Sequence, residues 1–283
     1  MNYRIVIHKF TTKTTHAPYA PGIADFFKGS IALHQYASLF NYKLYLDFSE
    51  HPIYNFLEKN EYPPVPDDFE SMPTIQLFET FSPLFVKQKL LEGFATSNII
   101  KVKCNLDYES EPDNETIAFI LQNFRPINSI LTRVDNIIHE LKLGTDFITI
   151  HVRAGDTFMI ENSNCDHDNR YLFYFNEKHT HNLIKYIDTF CEHYNNKVFL
   201  MSDNIILKKF VAQKYNFQAT EFVPMHSGSL AKESVNERSE ELLIEFFIMC
   251  RSKQVICYSW AGHSGFSDMA NILYKIPLNR YFI

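Results

Sequence analysis

The chain has 283 residues, with 27 Lys and Arg against 33 Asp and Glu, a formal net charge of −6. That length supports one large domain or two modest ones with a real core, and 46% hydrophobic with 21% charged residues excludes extended disorder. The acidic balance disfavours a dedicated nucleic-acid binder, which carries a basic face.

In chain order, residues 3–7 read as a short strand and residues 24–40 as a helix, with a turn-rich loop between them. Residues 43–47 (Lys-Leu-Tyr-Leu-Asp) form a second strand, completing a βαβ unit. Residues 61–73 carry four prolines and read as a loop or lid. Residues 75–78 and 99–102 are further strands. Ile127, Ile130, Leu131, Val134, Ile137, Ile138 and Leu141 trace one helix face that stops at Gly144. Pro126 separates that helix from the one before it.

The second half alternates with clear periodicity. Strands are expected over 147–152, 197–201, 218–223 and 254–258, and helices over 181–194, 205–215, 239–249 and 268–274. Strand–helix alternation indicates parallel sheets covered on both faces. Two α/β domains are expected: 1–142 on the acceptor side and 143–283 carrying the nucleotide. In such sheets ligands bind outside the carboxyl ends of the strands.

Five cysteines without a CxxC pair exclude a disulfide scaffold and a zinc knuckle. The N-terminal apolar stretch is too short for a secretory signal, and no apolar run approaches the ~20 residues of a membrane span. The expectation is a cytoplasmic protein of a reducing compartment. Aromatic residues reach 15%. They suit either sugar- and base-binding clefts or core packing, and Phe26, Phe27, Phe158, Tyr258, Trp260 and Phe266 fall near the expected cleft.

The strand ends carry the chemistry. His151, Arg153, Gly155 and Asp156 follow one strand. Arg153 can grip a phosphate through its planar fork, and Gly155 lets the backbone turn tightly. The alternative is an Arg–Asp pair at a turn. Ser202-Asp203-Asn204 follows the next strand and also reads as a helix N-cap. After residues 254–258, Ser264, Gly265, Phe266 and Ser267 lead into a helix. Free N–H groups and hydroxyls there make an anion site, or ordinary capping. In the first half, Gly22, Asp25, Lys28 and Gly29 occupy a loop-to-helix junction. Asp25 can accept a proton and Lys28 can meet a phosphate; a first-turn helix acid and a solvated charge are the alternatives.

Taken together, His151-Val152-Arg153-Ala154-Gly155-Asp156 resembles the HxRxGD segment of the fucosyltransferase superfamily. That group comprises α-1,2-, α-1,6- and protein O-fucosyltransferases. Phe199 to Asn204 is similar to its second segment, and Glu245 to Met249 with Ser264 to Ala270 to its third. The Gly22 to Ser30 loop and Leu44-Tyr45-Leu46-Asp47 resemble its N-terminal half. The resemblance implies a GT-B architecture, two Rossmann-like domains facing a central cleft. It implies an inverting, metal-independent transfer of a sugar, with fucose favoured, from a nucleoside diphosphate to a glycan or glycoprotein hydroxyl. The sugar nucleotide is a co-substrate and no cofactor is implied. By matching position Arg153 would hold the donor β-phosphate, His151 would lie by the nucleoside, Glu245 would face the base edge, and Ser264 and Ser267 would lie near the phosphates.

Two departures stand out. Ala154 follows Arg153 where the α-1,2 and α-1,6 members carry a second arginine, and Glu245 stands where an aspartate is usual. They lean towards the O-fucosyltransferase type or towards another UDP- or GDP-linked donor. Two rivals remain. Asp166-His167-Asp168 is a DxD sequence suited to a metal-dependent transferase, and a non-catalytic carbohydrate- or nucleotide-binding protein would use the same aromatics.

Overall fold

The computed structural model describes residues 4–10, 22–61, 63–77, 83–106, 108, 110–154, 177–194, 197–223, 235–259 and 264–283. The chain divides into two compact units, with the main change between Ile127 and Asn128. The boundary thus precedes the expected 142/143. The reason is packing: the amphipathic helix that follows Ile127 lies against a helix of the second unit.

In the first unit, β1 (Arg4–Lys9), β2 (Tyr42–Asp47), β3 (Thr74–Leu77) and β4 (Ile99–Cys104) form one sheet in the order β2-β1-β4-β3. All three pairings are parallel. Helix α1 (Ile23–Phe40) connects β1 to β2, α2 (Pro83–Phe94) connects β3 to β4, and α3 (Asn114–Asn123) follows β4. The sequence reading passes over α2. Val86 and Leu90, one turn apart, are its buried positions, and Pro83 sits at the first helical position, where its missing N–H costs nothing.

Five phenylalanines of this unit form the centre of its core. Phe10, Phe26, Phe27, Phe48 and Phe124 are all 2% exposed or less. Phe26 stacks on His8 at 4.3 Å between ring centroids and meets Phe10 at 4.7 Å and Phe48 at 5.0 Å. Phe26 and Phe27, expected to fall near the cleft, are core side chains. Their burial follows from their place on the sheet-facing side of α1, and large aromatic area is what a core of this size needs.

In the second unit, β5 (Ile148–Arg153), β6 (Val198–Ser202), β7 (Gln254–Ser259) and β8 (Leu278–Phe282) form a parallel sheet in the order β6-β5-β7-β8. β5 to β7 are buried except at Arg153 and Gln254, which each lie at a strand end, as central parallel strands are. β8 is exposed and carries Asn279 and Arg280 mid-strand, so alternation never marks it as a strand. Helices α4 (Asn128–Glu140), α5 (Glu177–His193), α6 (Ile205–Tyr215), α7 (Val235–Met249) and α8 (Gly265–Tyr274) surround the sheet. Leu183, Ile187 and Phe190 of α5 and Leu207 and Val211 of α6 pack on Ile148, Ile150, Val198 and Leu200. α4 packs against α7. The expected strand over 218–223 reduces to a single bridge between Gln218 and Phe199. From Leu242 to Cys250 only Glu245 interrupts an apolar run, and every residue there is buried.

Among the described residues, no helix is long and apolar enough to cross a membrane. Cys104, Cys250 and Cys257 are buried free thiols and Cys191 is exposed.

Candidate functional site

The second sheet reverses direction at β5: the chain places β6 on one side of it and then β7 and β8 on the other. That reversal opens a crevice at the carboxyl ends of β5 and β7, the usual ligand position in such sheets. Arg153 is the last residue of β5 and pairs in register with Ser259, the last residue of β7. Ser264 then occupies the N-cap position of α8.

Arg153 is held from the neighbouring strand end. Its Nη1 donates to Asp203 Oδ2 at 2.6 Å, and Ala154 N donates to Asp203 Oδ1 at 2.8 Å. The Arg153 side chain is 28% exposed. An oriented, partly exposed guanidinium at a strand end is a preorganised anion partner. Asn204 caps α6 by accepting from Leu207 N at 2.9 Å, so Ser202-Asp203-Asn204 both caps a helix and orients Arg153. Ser202 Oγ accepts from Asn204 N. The Asn204 Nδ2 group is buried with no partner.

At α8 the Ser264 hydroxyl makes no capping bond, so the first-turn N–H groups are not closed off by it and the helix end retains its attraction for an anion. Ser267, expected near the phosphates, is engaged with a neighbouring side chain. It is fully buried and its hydroxyl meets His151 Nδ1 at 2.7 Å. Burial, reinforced by the Arg153 charge, pushes the His151 pKa down to about 3, so this imidazole is neutral and structural in the resting protein. Phe266 is half-buried and meets Phe246 edge-on at 5.4 Å.

Glu245 is also committed to the protein. Its Oε1 accepts from Lys208 Nζ at 2.6 Å and from the Thr220 hydroxyl. Lys208 and Glu245 have side chains only 1% and 5% exposed. Sequence reasoning missed Lys208, because a lysine in the polar-looking Leu-Lys-Lys-Phe of α6 reads as a surface charge.

In the first unit, Asp25 Oδ2 accepts from Gly22 N at 3.2 Å, closing the start of α1. Gly29 lies directly under β4: a Cβ there would stand 2.1 Å from Cys104 O. Gly29 is therefore a packing glycine, and Lys28 beside it is half-buried. His8 is fully buried, with Nδ1 at 2.9 Å from Ser30 Oγ and Nε2 at 3.0 Å from Cys104 O. Burial lowers its pKa to about 3.

A cluster the sequence reading did not single out occupies the carboxyl ends of β1 and β2. Lys9 pairs in register with Asp47. Its buried Nζ lies 2.7 Å from Glu50, 3.1 Å from Glu70 and 3.7 Å from Asp47. Burial acts to lower the Lys9 pKa, but the bonds to Glu50 and Glu70 outweigh it and the net shift is upward. The only clue in the sequence was a Lys and an Asp that each end a strand. A separate polar groove of about 1130 Å³ runs between the later part of α1, the start of β2 and α3. It lies at the amino end of β2, away from the strand ends where this cluster sits.

Gly155 and Asp156 lie outside the described residues, as do Phe158, Trp260 and the Asp166-His167-Asp168 segment. Among the described residues there is no group of three or more His, Cys, Asp or Glu side chains placed to hold a metal.

No protein family and no curated protein matches the chain by sequence. Solved structures do match it. NodZ α-1,6-fucosyltransferase co-crystallised with GDP superposes with a TM-score of 0.59 at 18% identity, covering 96% of this chain and 93% of that one. The fold is that of NodZ. The fucosyltransferase NodZ from Bradyrhizobium gives 0.59 at 18% identity, over 96% and 94% of the two chains. NodZ soaked with GDP-fucose gives 0.58 at 20% identity, over 96% and 92%. A GT-B-type pair of Rossmann-like α/β units thus extends over nearly the whole chain, as the resemblance implied.

Proposed function

We propose that this chain is a glycosyltransferase that moves fucose from GDP-fucose to a glycan or glycoprotein hydroxyl, with inversion and without a metal. The observation that carries the reading is Arg153, oriented by Asp203 at the carboxyl end of β5 beside the open N-terminus of α8, in a chain with the NodZ fold. NodZ was crystallised with GDP and soaked with GDP-fucose, which supports a guanine-linked donor here.

The chemistry follows from charge. As the glycosidic bond breaks, the departing diphosphate gains negative charge. A preorganised cation and helix N–H groups stabilise it most where charge develops. Arg153 and the first turn of α8 supply both. The anomeric carbon becomes oxocarbenium-like, and an acceptor hydroxyl attacks from the opposite face. In this reading the second unit is the donor side and the first unit the acceptor side. Asp25 is the candidate base: its Oδ2 closes α1, and its Oδ1 has no partner among the described residues. Glu245 meets the base, and Gly155, Asp156 and Ser264 line the donor. The protein acts in the cytoplasm.

A thermal-shift titration with GDP, UDP, ADP and GDP-fucose tests the reading. A ligand at 100 times its Kd stabilises the fold by about 2.7 kcal/mol, so GDP and GDP-fucose should raise the unfolding temperature clearly and ADP should not. Release of GDP from GDP-fucose with a glycan acceptor, in excess EDTA, then tests transfer and metal independence together. A protein that no guanine nucleotide stabilises would not be this enzyme.

A further inference from the structure

We infer that Lys208 is the positioning residue of the nucleotide subsite, and that it leaves Glu245 a single oxygen with which to read the base. The inference rests on the proposed guanine-nucleotide reading and deepens it.

The geometry is closed on one side and open on the other. All three protons of the Lys208 ammonium have acceptors: Glu245 Oε1 at 2.6 Å, Thr220 Oγ1 at 2.8 Å and Phe222 O at 3.3 Å. Thr220 in turn donates to the same Oε1. That oxygen accepts twice and is held in place. Oε2 accepts from no described residue. A buried carboxylate ordinarily has both oxygens hydrogen-bonded, so an oxygen left over is an acceptor kept for a ligand.

The pair is expensive to bury. Two charges taken out of water cost several kcal/mol each, and an apolar pair of similar volume is often as stable. α7 could bury a leucine at 245 as readily as its neighbours Ile244 and Phe246. What an apolar pair cannot do is present a fixed, negatively charged acceptor. Lys208 begins the second turn of α6, whose cap is Asn204, next to the Asp203 that orients Arg153. Lys208 thus reaches Glu245 on α7 from the helix that begins beside the anion site, and in the proposed reading the base extends towards this pair.

An acceptor-only oxygen selects bases with an N–H on the reading edge. Guanine and hypoxanthine both present N1–H; adenine presents a bare N1. Had both oxygens faced the ligand, the guanine 2-amino group would gain a second charge-assisted bond. With one oxygen available it gains none.

The test compares Kd values for GDP, IDP and ADP on the wild-type chain and on Lys208→Met. For the wild type, IDP should bind within about threefold of GDP, because one shared hydrogen bond carries recognition, and ADP at least roughly tenfold more weakly, the worth of one bond to a charged group. In Lys208→Met the carboxyl loses the ammonium that fixes it, and its free oxygen is no longer held as an acceptor on the reading edge. The ADP-to-GDP ratio should then fall towards one. A merely structural loss would weaken all three nucleotides and leave the ratio alone, which would overturn the inference. So would an IDP affinity tenfold below that of GDP in the wild type. Should Lys208→Met not fold, the neutral pair Lys208→Met/Glu245→Gln removes both charges at similar volume, and the same collapse of the ratio is expected. A wild-type chain that binds no guanine nucleotide at all would instead sink the proposed function, and this inference with it.

Discussion

Asp203 holds Arg153 by both the side chain and the backbone that follows it. One carboxylate oxygen takes the guanidinium at 2.6 Å and the other takes Ala154 N at 2.8 Å. The residues are fifty apart in sequence and meet only because β5 and β6 end side by side. A cation so fixed needs no reorganisation when charge appears on a leaving group.

Arg153→Ala should lower turnover by about 10²–10³, the scale of one lost charge-stabilising donor. Asp203→Asn should lower it by roughly tenfold, since one charge-assisted bond of the clamp is lost while the cation stays. Steady-state kinetics on folded variants would check both, and near-normal turnover of Arg153→Ala would remove the donor site from this strand end.

Acid should unfold the protein through its buried histidines. His8 and His151 both have folded pKa values lowered from 6.5 to about 3 by burial. The unfolded chain therefore binds protons that the folded chain refuses. Their contribution to stability is present above about pH 6.5 and is lost as the pH falls towards 3. Urea midpoints should fall steadily over that window, and His151→Gln should flatten the slope. For the same reason His151 should place no inflection in a pH–rate profile between pH 5 and 8.

Gly29→Ala should destabilise the first unit by about 3 kcal/mol. A Cβ there meets the backbone carbonyl of Cys104 at 2.1 Å, and neither α1 nor β4 has a flexible group to move aside. Thermal unfolding measures the loss. A variant within a few tenths of a kcal/mol of the wild type would mean the helix can shift off the strand.

Asp25 separates capping from catalysis. Asp25→Asn keeps an acceptor for Gly22 N but removes the base, so it should retain stability and lose about 10²-fold or more in kcat, the usual scale of general-base catalysis. Asp25→Ala should lose about 1 kcal/mol of stability as well. Full kcat in Asp25→Asn would leave Asp25 as a helix cap only.

Local patterns determined a good deal. Apolar runs at 147–152, 197–201 and 254–258 marked the three buried strands of the second sheet, because a strand covered on both faces has no polar side. Motifs placed directly after them then fell at the strand ends, where Arg153, Asp203 and Ser264 are found. β8 and α2 were not legible, the first because an exposed edge strand has no alternation, the second because two buried residues in twelve leave a weak periodic trace. The aromatic excess was legible as a number but not as a role. One part of it, the Phe10, Phe26 and Phe48 cluster, is core.

Tertiary structure alone decided the partners. Lys208 and Glu245 are 37 residues apart and His151 and Ser267 are 116 apart. Periodicity reports which face of an element is apolar. It carries no record of which side chain on one element meets which on another, since that depends on register and packing across the whole sheet. The same acidic residue could thus be read as a ligand contact from the sequence, while its burial against a lysine, with one oxygen left over, could be seen only in the folded chain.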